Sequence, residues 1–253
     1  MQNIGDVAKT PKGKIEIIRR SETPRGRGWK RDPKTGLWVK QNVTQNMIVL
    51  AGLSMAAKSI QYGNADQGKT IRYIEVGTGH APPAKSDTAL GTAVERVEID
   101  SWDNTDIASD PVVMIATRLW LTSEGNGQLM EIGLFQESSG APMYSRALMG
   151  YGAITGATKA DPCVITSASH GLTDSDKVRI ENVGGMIELN GNSYYVDVLT
   201  TDTFALYTDE ALTTSVDSSA YTTYTSGGNW DLVIPKTSSE TMTTNYTLTY
   251  PAD

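Results

Sequence analysis

Cysteine is nearly absent. The 253 residues contain one, Cys163, so neither a disulfide framework nor a cysteine-rich zinc module can be built. Histidine is almost as scarce. His80 and His170 are the only two, which leaves little material for metal ligation or for acid–base chemistry near neutral pH. The longest apolar run, Met47 to Ala57, is eleven residues interrupted by Gly52 and Ser54. A bilayer span needs about 20. The first residues lack the apolar stretch and small-residue cleavage site of an export signal, so no membrane insertion and no export are expected. Phenylalanine is also rare, with Phe135 and Phe204 set against eleven Tyr and five Trp. Tyr and Trp suit half-apolar, half-wet surfaces such as assembly interfaces, and Tyr also favours strands.

Enough remains to fold. Hydrophobic residues at 39% and charged residues at 20% support a core and exclude a wholly disordered chain. The net charge of −7 conceals a division. Residues 1–40 hold eleven Lys/Arg against four Asp/Glu, whereas the remaining 213 hold eleven against twenty-five. A basic arm of +7 therefore precedes an acidic body of −14, and it is the one segment suited to docking on acidic protein or nucleic acid. Its candidate partner-binding residues are Arg19, Arg20, Arg25, Arg27, Trp29, Lys30 and Arg31. Nucleic acid is the weaker reading, because Trp29 is the only aromatic interleaved with the Arg-Gly-Arg-Gly stretch.

The periodicity is that of strands. Lys14 to Arg19, Val94 to Ile99, Val112 to Leu121, Gln128 to Phe135 and Met143 to Met149 alternate or run apolar at strand length. Residues 44–61 read as the principal helix, capped by Thr44 or Asn46 and apolar over more than one face. Composition shifts near Ala153. From Ile154 to Asn229 the chain is Ser/Thr-rich, with ten acidic residues against three basic ones. Its short strands are separated by turn signals at His170-Gly171, Gly184-Gly185 and Asn190-Gly191-Asn192, a spacing that suits a small barrel. Tyr246, Leu248 and Tyr250 share one face of a closing strand.

Chemical motifs are weak. Gly77-Thr78-Gly79 follows a strand but lacks the Lys-Ser/Thr of a phosphate loop and the third glycine of a dinucleotide fingerprint. It reads as a turn demanding glycine backbone angles. Ser169, His170 and Asp174 are sequence neighbours, whereas a triad meets across a fold. Asp100, Asp103, Asp106 and Asp110 surround Trp102 without EF-hand spacing and read as a solvated acidic loop. No catalytic residue, cofactor or metal site is expected.

Two stretches carry a resemblance. Tyr73-Ile74-Glu75-Val76-Gly77-Thr78-Gly79, then Pro82-Pro83 and Ser86-Asp87-Thr88-Ala89-Leu90, resembles a signature of small bacteriophage tail and virion structural proteins. Glu131-Ile132-Gly133-Leu134-Phe135 with Met143-Tyr144-Ser145-Arg146 is similar to its second segment. Lys236-Thr237-Ser238 and Asn245 to Tyr250 resemble its closing strands. The intervening stretch resembles a small β-barrel domain of phage structural proteins that is similar to the first catalytic cysteine half-domain of ubiquitin-activating enzymes. It does so through His170-Gly171-Leu172, Asp176-Lys177-Val178, Gly185-Met186, Leu189-Asn190-Gly191 and Phe204-Ala205-Leu206. That domain is not the catalytic part of those enzymes, so no ubiquitin chemistry is implied.

The expected fold is mainly β with one principal helix: an antiparallel, sandwich-like base domain at 41–153 plus 230–253, interrupted by a barrel at 154–229 and preceded by the basic arm at 1–40. The expected role is a non-enzymatic virion structural protein of the tail, neck, collar or baseplate. It would assemble in the host cytoplasm as a homo-oligomer in contact with other virion proteins. Termination at Asp253, with no repetitive shaft, argues against a complete fibre. The alternatives are a capsid decoration protein, or an adhesin whose Tyr194, Tyr195, Tyr221 and Tyr224 stack on host-surface glycans.

Overall fold

The computed structural model describes residues 12–23, 27–48, 71–103, 112–140 and 142–250. Their strands, in chain order, begin with β1 (Lys12–Ser21), β2 (Lys30–Arg31), β3 (Trp38–Ile48), β4 (Tyr73–Gly77), β5 (Ala93–Glu98) and β6 (Ser101–Asp103). There follow β7 (Val112–Trp120), β8 (Gly127–Leu129), β9 (Glu131–Phe135), β10 (Met143–Leu148), β11 (Tyr151–Ala153) and β12 (Gly156–Ala157). The last six are β13 (Val164–Thr166), β14 (Lys177–Glu181), β15 (Ser193–Val198), β16 (Thr203–Tyr207), β17 (Asn229–Lys236) and β18 (Thr241–Tyr250). Among the described residues the one helical element is a 3₁₀ turn, Ile187–Leu189, and no helix is long and apolar enough to cross a membrane.

These strands form two antiparallel sheets. The first runs β5-β4-β9-β10-β3-β1-β18-β7-β6, with β2 added beside β3. The second runs β11-β17-β14-β15-β16-β13-β12, with β8 added beside β17, and curls into a half-barrel. Strand β1 shows why the first sheet forms. Ile15, Ile17 and Arg19 are buried while Lys14, Glu16, Ile18 and Arg20 face outward, a period-two split across one pleat. Ile15 lies opposite Tyr246, and Ile17 opposite Thr244, on β18. One apolar cluster joins the sheets: Ile15, Trp120 and Tyr246 from the first are continuous with Ile165, Val178 and Phe204 from the second.

Three features depart from the sequence expectations. Thr44 to Ile48 do not begin a helix. They continue β3, where Gln45 pairs with Lys14, and Met47 and Ile48 pair with Arg146 and Ser145 of β10. Backbone pairing on both edges overrides a weak local helix signal, and residues 49–61 lie outside the described residues. The basic segment is no separate arm from Lys12 onward, because β1 lies between β3 and β18 inside the sheet. Finally, β17 pairs with β14 of the half-barrel from Asn229 to Val233 and with β8 from Ile234 to Lys236. The returning chain thus completes the second sheet before β18 re-enters the first.

Candidate functional site

The signature residues of the first sheet meet at one point. Glu131 opens β9 with its side chain fully buried. Its Oε1 accepts hydrogen bonds from the backbone N–H groups of Gly79 (2.9 Å) and Thr92 (2.8 Å). Its Oε2 accepts from the Gly91 N–H (3.0 Å) and the Arg146 Nε (2.8 Å). Arg146, on neighbouring β10, also donates to Asp87 Oδ2 at 2.7 Å and to the Ala81 carbonyl at 3.0 Å. The carboxylate therefore acts as an internal anion that gathers both ends of the 78–92 loop, and the guanidinium fork binds its middle.

This geometry revises the reading of Gly77-Thr78-Gly79. The constraint is space, since neither glycine adopts a left-handed φ. A Cβ on Gly79 would lie 2.3 Å from Glu131 Oε1, and one on Gly77 would lie 2.7 Å from the same atom. The anion that this glycine-rich turn cradles is the protein's own Glu131. The signal was legible: one Glu and one Arg stand within apolar runs, 131–135 and 143–149, and buried charges of opposite sign require each other.

The second constellation joins the basic segment to the half-barrel. Lys40 Nζ lies 3.0 Å from Asp176 Oδ1 and donates to the Asp174 carbonyl at 2.8 Å, with the Lys40 and Asp176 side chains 1% and 2% exposed. Burial pushes the Lys40 ammonium below the ordinary lysine value, and Asp176 opposes that shift. Asn42 Nδ2 donates to Asp176 Oδ1 at 2.9 Å. Trp29 Nε1 donates to Glu210 Oε1 at 3.2 Å, and Arg27 pairs with Asp197 at 3.2 Å. Gly28 has a left-handed φ of 77°, and a Cβ there would sit 2.3 Å from the Asp174 carbonyl oxygen. Arg27, Gly28 and Trp29 thus lie on acidic residues of their own chain.

The predicted partner-binding residues divide accordingly. Arg19 and Trp29 are buried, with the Arg19 guanidinium 5.1 Å from the Trp29 ring centroid. Arg27 is engaged by Asp197. Arg20 is half-buried and donates to Thr243 Oγ1. Lys30 and Arg31 are exposed, and Arg25 lies outside the described residues. The four tyrosines do not form one platform. Alternation along β15 sends Tyr194 into the core, where burial pushes its phenol up to about 12, while Tyr195 faces the other way with Lys177 Nζ 5.4 Å from its ring centroid. Tyr221 and Tyr224 pack at the rim of the core, and the Tyr224 hydroxyl donates to backbone carbonyls of Ile154 and Gly227.

The remaining candidates have structural partners. The Leu172 N–H donates to His170 Nδ1, so the ring proton sits on Nε2 and donates to the Thr200 carbonyl at 3.0 Å. Asp174 Oδ1 accepts from the Val198 N–H, and Ser169 N donates to Asp202. Cys163 is buried, which pushes its thiol up. Asp100 pairs with Arg118 at 2.6 Å, Asp103 lies on β6, and Asp106 and Asp110 lie outside the described residues. Among the described residues no group of three or more His, Cys, Asp or Glu is placed to hold a metal.

A cleft of about 1250 Å³ runs along β3. Its lining includes Lys14, Arg20, Lys30, Pro82, Tyr151 and Leu172.

Comparison with known proteins bears on the second sheet. None of the curated proteins matches the chain. Residues 163–233, which run from the start of β13 into β17, match the ubiquitin-activating enzyme E1 FCCH domain, the unit that the inserted stretch resembles in sequence.

Proposed function

We propose that this chain is a non-enzymatic bacteriophage virion structural protein of the tail, neck, collar or baseplate. It assembles through its first sheet and carries the half-barrel as a seated accessory module. The observation that carries this reading is the Glu131–Arg146 clamp. The residues that resemble a virion-protein signature are spent on holding one loop: Gly79 and Glu131 are joined directly, and Asp87 through Arg146. Such a fully paired network rigidifies the loop, which suits an assembly role. The buried Lys40–Asp176 pair suits the same role, because it fixes the module against the sheet.

The test is location and stoichiometry. Purified phage particles encoding this chain should contain it in a fixed copy number, and antibody labelling should place it on one substructure by electron microscopy. Its absence from purified particles, with the chain present in infected cells, would overturn the proposal. Labelling over the whole capsid surface would move the role to decoration.

A further inference from the structure

The cleft along β3 is lined by groups that the fold leaves unused. Lys30, Gln41 and Tyr151 are exposed, and none of their side chains makes a hydrogen bond or ion pair among the described residues. Tyr151 is 63% exposed, and no other exposed large apolar side chain of the described residues is more open. Arg20 and Arg31 add two cations whose acceptors are neutral, the Thr243 hydroxyl and the Gly36 carbonyl. The acids in the lining are already engaged: Glu16 by Lys14, Asp32 by its own loop, and Asp176 by Lys40. The cleft therefore presents positive charge without a counter-charge. Its shape is also fixed in advance. Pro82 and Pro83 belong to the loop that Arg146 grips at Ala81 and Asp87. Thr173 adjoins the turn that anchors Lys40, and its N–H donates to Asp176 Oδ2 at 2.7 Å. A preformed cleft spares a ligand the cost of ordering it.

We infer that this cleft is a binding site for a linear acidic glycan, a chain of sugars that carries carboxylate or sulfate groups. The unused groups match that chemistry one by one. Lys30 and the two arginines take the acid groups, for which a guanidinium offers paired N–H donors. The Gln41 amide both donates to and accepts from sugar hydroxyls. The Tyr151 ring, apolar on its face and polar at its tip, covers the C–H face of a sugar. At about 1250 Å³ the cleft exceeds the roughly 300–1000 Å³ of a small-molecule pocket, which leaves room for several sugars. A nucleic-acid strand fits less well. It carries a phosphate on every unit and would set that dense charge against Glu16, Asp32 and Asp176 in the same lining. Tyr151 is also the one exposed aromatic there, so successive bases have no series of rings to stack on. None of Tyr194, Tyr195, Tyr221 and Tyr224 lines the cleft, which makes it a separate site from the one those residues suggested in sequence. The inference goes beyond the structural role proposed above and does not depend on it.

The experiment titrates the full chain by calorimetry with tetragalacturonate and with a sulfated tetrasaccharide, at low and moderate salt. Neutral maltotetraose and an oligothymidine strand serve as comparison ligands. Two variants, Tyr151→Ala and Lys30→Glu/Arg31→Glu, change exposed residues and are checked for fold by circular dichroism. The expected result is saturable binding of at least one acidic tetrasaccharide, weakened by salt and weakened at least about tenfold in each variant. Maltotetraose should bind at least about tenfold more weakly than the acidic chain. A response to one acidic chain alone would support the inference and identify the acid group. No binding of either, binding that either variant leaves unchanged, or equal binding of maltotetraose would overturn it. Tighter binding of oligothymidine would also overturn it and assign the cleft to nucleic acid. The structural role is decided separately, by the copy number of the chain in particles.

Discussion

Glu131→Gln is the most informative single change, because the whole loop clamp runs through one carboxylate. Each carboxylate oxygen accepts two donors: Gly79 N and Thr92 N on Oε1, Gly91 N and Arg146 Nε on Oε2. An amide nitrogen placed at either position faces two donors, so two bonds are lost in either orientation. Arg146, with its side chain 4% exposed, would then keep Asp87 as its carboxylate partner. Breaking a buried pair by neutralising one member costs about 3–5 kcal/mol, a large share of the roughly 5–15 kcal/mol that holds a domain together. Urea unfolding followed by tryptophan fluorescence should show that loss, with faster amide exchange across residues 78–92. Asp87→Asn should cost less, since Glu131 still neutralises Arg146. Gly79→Ala should resemble Glu131→Gln, because its Cβ would lie 2.3 Å from Oε1. A Glu131→Gln midpoint within about 1 kcal/mol of wild type, with unchanged exchange in the loop, would refute the clamp as the organiser of this region.

Two further outcomes follow from the second sheet. Asp231 is 2% exposed, and burial together with nearby Glu181 raises its carboxyl to about 7. A raised acid is protonated more readily in the folded state, so its contribution is complete below the ordinary value near 4 and is lost as pH rises to 7. Between pH 4 and 8 the wild type should lose up to about 4 kcal/mol relative to Asp231→Asn, measured as the difference between their urea midpoints; parallel pH profiles would exclude the effect. Lys40→Met leaves Asp176 buried without its cation and should cost about 3–5 kcal/mol, whereas Arg27→Ala removes an exposed pair and should cost under about 1 kcal/mol. Thermal unfolding of the two variants side by side checks the ranking, and equal losses would show that burial does not set the strength of the junction.

The sequence by itself determined the strands. Alternation at Lys14 to Arg19 and along 242–248 reports which residues face a core, whereas at Val94 to Ile99 only Val97 and Ile99 pack against it and Val94 stays exposed. It also set apart the inserted stretch, of which residues 163–233 match the ubiquitin-activating enzyme E1 FCCH domain. Tertiary structure decided everything that depends on distance between remote segments. Residues 44–48 look helical alone and are a strand because β1 and β10 lie alongside. Gly79 is a glycine because a carboxylate 52 residues later packs against it, and local turn chemistry carries no trace of that. The basic segment looked outward because charge counts carry no direction. Folding placed Arg27, Trp29 and Lys40 against Asp197, Glu210 and Asp176 of the same chain, and only the Lys40–Asp176 pair is buried, where each charge requires the other.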